Sequence, residues 1–256
     1  RAGFIGSAGV DLPEDRATMA AALAAAFSKA AGSASAATNP VFGAGNDAEP
    51  ALVGALADVE GYLLIAGTGS IALGRTESGT SARAGGWGHF LGDEGSAFWI
   101  AFEAIKRGIR SKENRDVRTG LLESALAHFG LAEAPALIPF TYWNFDKARI
   151  ASFAPKVAEA AEAGDALATV IMDAAATELA ALVVSVHDTM EPRIARKRLA
   201  LYGGLLEKNR RLRSAVADRI RAARPGIAIV EPAGDAQTGA CRLARELLRR
   251  PPASAG

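Results

Sequence analysis

The feature that most constrains this chain is a pair of apolar runs around a four-residue turn: Gly61-Tyr-Leu-Leu-Ile-Ala-Gly67-Thr68-Gly69-Ser70-Ile71-Ala72-Leu73-Gly74. Apolar runs that bracket a Gly-Thr-Gly-Ser tip read as a β-hairpin. The tip presents backbone N–H groups unobstructed by side chains and adds two hydroxyls, which is the equipment for cradling phosphate oxygens. A plain tight turn explains the same residues. Further along lies Gly85-Gly86-Trp87-Gly88-His89-Phe90-Leu91-Gly92-Asp93-Glu94-Gly95-Ser96, which empties into an apolar helix. No packing rule asks for a Trp, a His and two acids among so many glycines. Glycine carries an entropic cost that a purely structural loop avoids, whereas a loop approached closely by a ligand needs it. The loop is therefore a site candidate.

The remaining pattern alternates strands with helices. The opening, Arg1 to Val10, reads as a strand and a loop. An alanine-rich helix over Arg16 to Ala31 follows, with Met19, Leu23 and Phe27 at helical spacing. A small-residue linker, Gly32 to Thr38, leads to a short strand at Asn39-Pro-Val-Phe-Gly43 and a helix through Leu52 and Leu56. Ser96 is the expected N-cap of the helix after the glycine loop, whose face carries Phe98, Ala101 or Phe102, Ile105 and Ile109. Pro135 to Phe153 has no period despite Phe140, Tyr142, Trp143 and Phe145. A long helix carries Leu167, Ile171, Ala175, Leu179, Leu182 and Val186. The strand Leu199–Tyr202 then ends in Gly203-Gly204, a helix with Leu212, Val216 and Ile220 follows, and a strand at Ile227 to Val230 precedes a last helix over Ala236 to Leu248. Strands alternating with helices predict an α/β domain with parallel pairings.

Composition narrows the function classes. A length of 256 residues allows a substantial core, in one large or two small domains. The formal charge of +1 gives no reason to expect nucleic acid. The single cysteine, Cys241, rules out an intrachain disulfide and any all-cysteine metal cluster from this chain alone. Three scattered histidines offer no metal site. His89 reads as a loop histidine satisfied by neighbouring backbone, and His128 and His187 as structural. No run of transmembrane length and no signal peptide are read, so no membrane partner is expected and a cytoplasmic protein is the default.

The hairpin followed by Gly-Gly-Trp-Gly-His-x-x-Gly-Asp-Glu-Gly-Ser-Ala-x-Trp-Ile resembles the N-acetylglucosamine kinases. These are grouped with glucosamine kinases and the BadF/BadG/BcrA/BcrD-type ATPases in the sugar kinase, Hsp70 and actin superfamily. The resemblance spans most of the chain and is dense between residues 45 and 100. It implies a two-lobed actin-like (ribonuclease H-like) α/β ATPase fold, with ATP, Mg²⁺ and a small-molecule amino sugar bound between lobes, and a homodimer that no residue demands. It also implies that an Asp-Gly-Gly-Gly-Thr-Lys-type phosphate hairpin would precede Arg1, so the first lobe is expected to be incomplete here. The corresponding domains are 1–57 (remainder of the first lobe), 58–240 (nucleotide- and sugar-binding lobe) and 241–256 (a terminal helix packing back on the first lobe).

The same resemblance distributes roles. Asp47, in Asn46-Asp47-Ala48 at a strand-to-helix junction, matches the general base that takes the proton of the sugar 6-hydroxyl; from spacing alone a helix N-cap is an equal explanation. Thr68 and Gly69 match the phosphate cradle, with Ser70 and Ile71 turned toward the sugar. Gly86, Trp87 and Gly88 match sugar-contacting positions, and Asp93 matches one that bonds a sugar hydroxyl, a task suited to a carboxylate that accepts two directed hydrogen bonds. Glu94 is accounted for by the helix dipole. Gly203 and Gly204 resemble the family's adenosine motif, and Gly234 to Ala240 occupies the position of a second adenine-side loop. Glucosamine kinase is the close alternative. A non-catalytic sugar-binding protein and an ATPase activator of a radical enzyme are alternatives of another class, the latter disfavoured by the lone cysteine.

Overall fold

The computed structural model describes residues 1–10, 12–31 and 40–249; the linker read over Gly32 to Thr38 lies outside them, as do the residues after 249. Strand β1 (Ala2–Gly6), helix α1 (Pro13–Ala31), strand β2 (Val41–Gly45) and helix α2 (Ala48–Leu56) come first. β1 and β2 pair in parallel with Phe4 opposite Gly43, and α1 packs on β2.

The hairpin forms as its pattern predicts. Strands β3 (Gly61–Ala66) and β4 (Ser70–Arg75) run antiparallel with Ala66 opposite Ser70, which leaves Gly67-Thr68-Gly69 as the tip. β5 (Ser81–Gly85), β6 (Arg198–Tyr202) and β7 (Ala228–Val230) complete a mixed sheet of order β5-β4-β3-β6-β7, in which β6 is parallel to both β3 and β7. The period of two in β3 and β6 decides which side chain goes where. Tyr62, Leu64, Leu199 and Leu201 enter one core, while Leu63 and Ala200 enter another on the opposite face.

The first core is covered by helices. α3 (Ala97–Lys112), α4 (Leu121–Phe129), α5 (Leu137–Tyr142), α6 (Lys147–Ala151), α7 (Ala154–Glu162) and α8 (Ala166–Met190) lie in sequence between β5 and β6, with α9 (Gly204–Lys208) and α10 (Arg210–Ala223) between β6 and β7. The segment without a period thus holds two short helices, α5 and α6. Ser96 caps α3 as expected, its hydroxyl accepting from the Trp99 N–H at 3.2 Å. α8 corrects one expectation, since the segment Ala166–Arg193 is long and apolar enough to cross a membrane by length and hydropathy. Leu167, Ile171, Ala175, Leu179, Val183 and Val186 instead fill the core beneath the sheet.

The second core lies between the sheet's other face and two helices, α2 and α11 (Ala236–Arg249). α11 packs on α2, β1 and β2. It is continuous from Ala236, so a domain boundary drawn at 240/241 falls inside one helix.

Candidate active site

The hairpin tip and the glycine loop are stitched together at Asp93. Its carboxylate is buried, with the residue only 3% exposed, and Oδ1 accepts the Ser70 backbone N–H at 3.0 Å. Gly69 makes the approach feasible, because a Cβ there would lie 2.6 Å from that same oxygen. Asp93 holds φ at +63°, in the left-handed region that side-chain-bearing residues seldom adopt. The Ser70 hydroxyl turns inward and donates to the Glu94 carbonyl at 2.8 Å. Gly86 donates its N–H to the Ser70 carbonyl at 2.9 Å, and its bare α-carbon faces Ile71. Ser70, Ile71, Gly86 and Asp93 therefore form one cluster. Trp87 stands beside it, 62% exposed, with the Arg83 guanidinium 4.5 Å from its ring centre. An indole that exposed contributes little to the core.

The hairpin tip also borders a cavity of about 750 Å³. Gly67, Thr68 and Ala97 form one wall, the α6–α7 region another through Ala148, Ala151 and Ser152, and Gly204 with Lys208, Arg210 and Arg211 a third. Ala97, in the first turn of α3, donates its N–H to the Gly67 carbonyl at 2.9 Å, which seats the helix against the tip. Thr68 and Gly204, more than a hundred residues apart, thus face one space. Gly203 is glycine for a packing reason: its φ is +100° and a Cβ would lie 2.5 Å from the Ala66 carbonyl. Gly204 has open space where its Cβ would be.

Asp47 sits at the end of β2, where α2 begins, and is exposed. It makes no side-chain capping bond; Asn46 does that work, accepting the Ala48 N–H at 2.9 Å. The capping explanation for Asp47 therefore loses its support. Two other readings change. His89 is not held by backbone but lies among rings, 4.7 Å from Phe145 in a stacked arrangement and 5.3 Å from Phe98, and its Nε2 is buried with no hydrogen-bond partner among the described residues. Gly234 to Ala240 leads into and opens α11: Asp235 accepts the Thr238 N–H at 2.8 Å, and Gly234 and Gly239 abut α2. Helix packing accounts for that segment.

Sequence reasoning missed Lys147. From the first turn of α6 its ammonium donates to Asp93 Oδ2 at 2.7 Å, so both carboxylate oxygens are held. A single lysine so far along the chain from its partner leaves no local pattern to read. Among the described residues no group of three or more His, Cys, Asp or Glu side chains could hold a metal ion. A Mg²⁺ that travels with nucleotide phosphates needs no such cage, since it keeps several waters and takes few protein ligands.

The model of the BadF/BadG/BcrA/BcrD ATPase family matches residues 14–244. An N-acetylmuramic acid/N-acetylglucosamine kinase of Clostridium acetobutylicum is 35% identical over 201 residues, covering 78% of this chain and 66% of the relative. An N-acetyl-D-glucosamine kinase of Dictyostelium discoideum is 30% identical over 207 residues, covering 78% of this chain and 64% of the relative. The chain thus spans just under two thirds of the length of these curated relatives. A solved structure from Chromobacterium violaceum, provisionally assigned as an N-acetylglucosamine kinase, superposes with a TM-score of 0.61 at 25% identity, over 79% of this chain and 66% of that one. Its α/β architecture is the one described above. The family match takes in Asp47, the hairpin tip, the glycine loop and the Gly203-Gly204 turn, and the chain belongs to the BadF/BadG/BcrA/BcrD ATPase family.

Proposed function

We propose that the protein is an ATP-dependent kinase of N-acetylated amino sugars, with N-acetylglucosamine as substrate and the 6-hydroxyl as acceptor. The observation that carries this reading is one hairpin tip whose Thr68 shares a cavity with Gly204 and whose Ser70 holds Asp93. A donor and an acceptor can then meet at one turn. The relatives' names supply the sugar class.

The cavity suits a nucleotide. Thr68 and the tip amides would hold phosphate oxygens, Lys208, Arg210 and Arg211 would meet their charge, and the bare Gly204 backbone would let the adenosine lie close. ATP with Mg²⁺ supplies the transferable phosphoryl group and neutralises charge on it. The residues of this chain do the rest. Asp93 orients the sugar through its hydroxyls, the backbone at Gly86 and Gly88 admits the ring, and the Trp87 indole covers it. Asp47, exposed and free of capping duty, accepts the 6-hydroxyl proton as the sugar oxygen bonds to the γ-phosphorus and the bond from that phosphorus to the β-phosphate oxygen breaks.

The test is phosphate transfer from ATP to N-acetylglucosamine, N-acetylmuramic acid, glucosamine and glucose by the full-length protein. Turnover of the N-acetylated sugars, with kcat lowered about 10²–10⁴-fold in Asp47→Asn, supports the reading. Turnover confined to glucosamine would reassign the substrate. Sugar binding without turnover would leave a sensor, and sugar-independent ATP hydrolysis an activator.

A further inference from the structure

Asp93 is held by more than the hairpin. Its Oδ1 belongs to Ser70 and its Oδ2 to Lys147, whose side chain is 29% exposed against 4% for that of Asp93. The segment that carries Lys147 grips the glycine loop a second time, because Phe145 stacks on His89 at 4.7 Å with 20° between the ring planes. Lys147 opens α6, and the residues just after it, Ala148, Ala151 and Ser152, line the cavity that holds Thr68 and Gly204. Ile150 and Ala151 are buried, α6 packs on α3, and Ser152 Oγ lies 2.9 Å from His128 Nε2. A shift of α6 at its cavity face therefore bears on the ammonium that aims Asp93.

We propose that Lys147 is a positioning residue that ties the Asp93 carboxylate to the wall of the nucleotide cavity, so that occupancy of the cavity tunes sugar affinity. This rests on the reading of Asp93 as the sugar's partner. Two features make α6 suited to the role. Lys147 holds one carboxylate oxygen while leaving each oxygen a free lone pair for a sugar hydroxyl. The ion pair is also the reversible part of the clamp, being partly open to water, whereas the Ser70 bond is fixed by the sheet. A nucleotide that settles α6 in the position from which Lys147 holds Asp93 would favour sugar binding, and by linkage the sugar would favour the nucleotide by the same factor.

The experiment is calorimetric titration of N-acetylglucosamine into the full-length protein, alone and with a saturating non-hydrolysable ATP analogue plus Mg²⁺. The unaltered protein is expected to bind the sugar about fivefold tighter or more when the analogue is present. Lys147→Met is expected to bind the analogue alone as before, to bind sugar more weakly, and to lose the enhancement; Lys147→Arg is expected to recover it. Lys147→Gln repeats the measurement should the methionine variant fold poorly. An enhancement that survives in Lys147→Met, or is absent from the unaltered protein, overturns the coupling. Asp93→Asn separates the two ideas: if it binds sugar normally, the assignment of Asp93 fails and the proposal with it, whereas lost binding in Asp93→Asn beside full enhancement in Lys147→Met defeats the coupling alone.

Discussion

At the scale of single residues, the larger core holds a buried hydroxyl that carries a cost. The Tyr62 ring is buried against the helices, 5.7 Å from that of His187, and its hydroxyl meets no hydrogen-bond partner among the described residues. A buried hydroxyl left unpaired costs about 1–3 kcal/mol, so Tyr62→Phe is expected to leave stability at pH 7 unchanged or raise it by about 1 kcal/mol in urea melts. Burial, reinforced by the negative charges of Glu191, Glu60 and Asp188, pushes this phenol up from 10.0 to about 12. The sign follows from linkage: the unfolded chain releases the proton near 10.0 and the folded one only near 12, so this contribution is whole below pH 10 and drains away as pH rises through 12. Melts at pH 8 and pH 11 should therefore differ less for Tyr62→Phe than for the unaltered protein. The hydroxyl's isolation could not be read from the sequence, since Tyr62 occupies an ordinary apolar strand position.

At the scale of elements, the crossing of α2 over α11 depends on two glycines. A Cβ at Gly239 would fall 1.8 Å from the Pro50 carbonyl oxygen and 2.6 Å from the Gly54 nitrogen, and one at Gly54 would fall 1.8 Å from the Asp235 carbonyl oxygen. Both helices must separate to admit a methyl group. Gly239→Ala is expected to cost about 1–3 kcal/mol in chemical denaturation despite alanine's better helix propensity. Gly226→Ala, in the turn before β7 where a Cβ meets nothing within 4 Å, is the control for the glycine-to-alanine change and should be neutral or slightly stabilising; Gly54 and Gly239 are the informative pair. These glycines carried no signal of their own in the sequence, for a glycine in a helix looks alike whether a neighbour is near or far. Elements with a strong signal were legible: β3 and β4 as apolar runs about a glycine turn, β6 as an apolar run ending in Gly-Gly, α3 by its Ser96 cap, α8 and α10 by their stripes. β5 was not, since Ser81-Ala-Arg-Ala-Gly85 has neither β-branched nor aromatic residues and is a strand because β4 offers it an edge. The candidate site divides the same way. Glycines and acids clustered in one loop were visible, and so was the Gly-Gly turn, whereas Lys147 and Phe145 reach the loop only through the packing of α5 and α6.

At the scale of the whole molecule, two cores of unequal size share one sheet, and only the smaller involves β1 and β2. Phe4 packs against that smaller core, and Leu247 of α11 lies over Gly43, which has room for it only because it lacks a Cβ. Ending the chain after Gly234 should therefore release β1 and β2 to limited proteolysis while amides of β3, β4 and β6, backed by the larger core, stay protected from hydrogen exchange. Global loss of protection would mean that the two cores unfold together. The placement of α11 also has a consequence for biosynthesis. β1 and β2 leave the ribosome well before α11, so the face that Leu247 comes to cover waits while α1 packs on β2 and the larger core assembles. That face is completed only once α11 has emerged, and until then it is a surface that a co-translational chaperone has reason to hold.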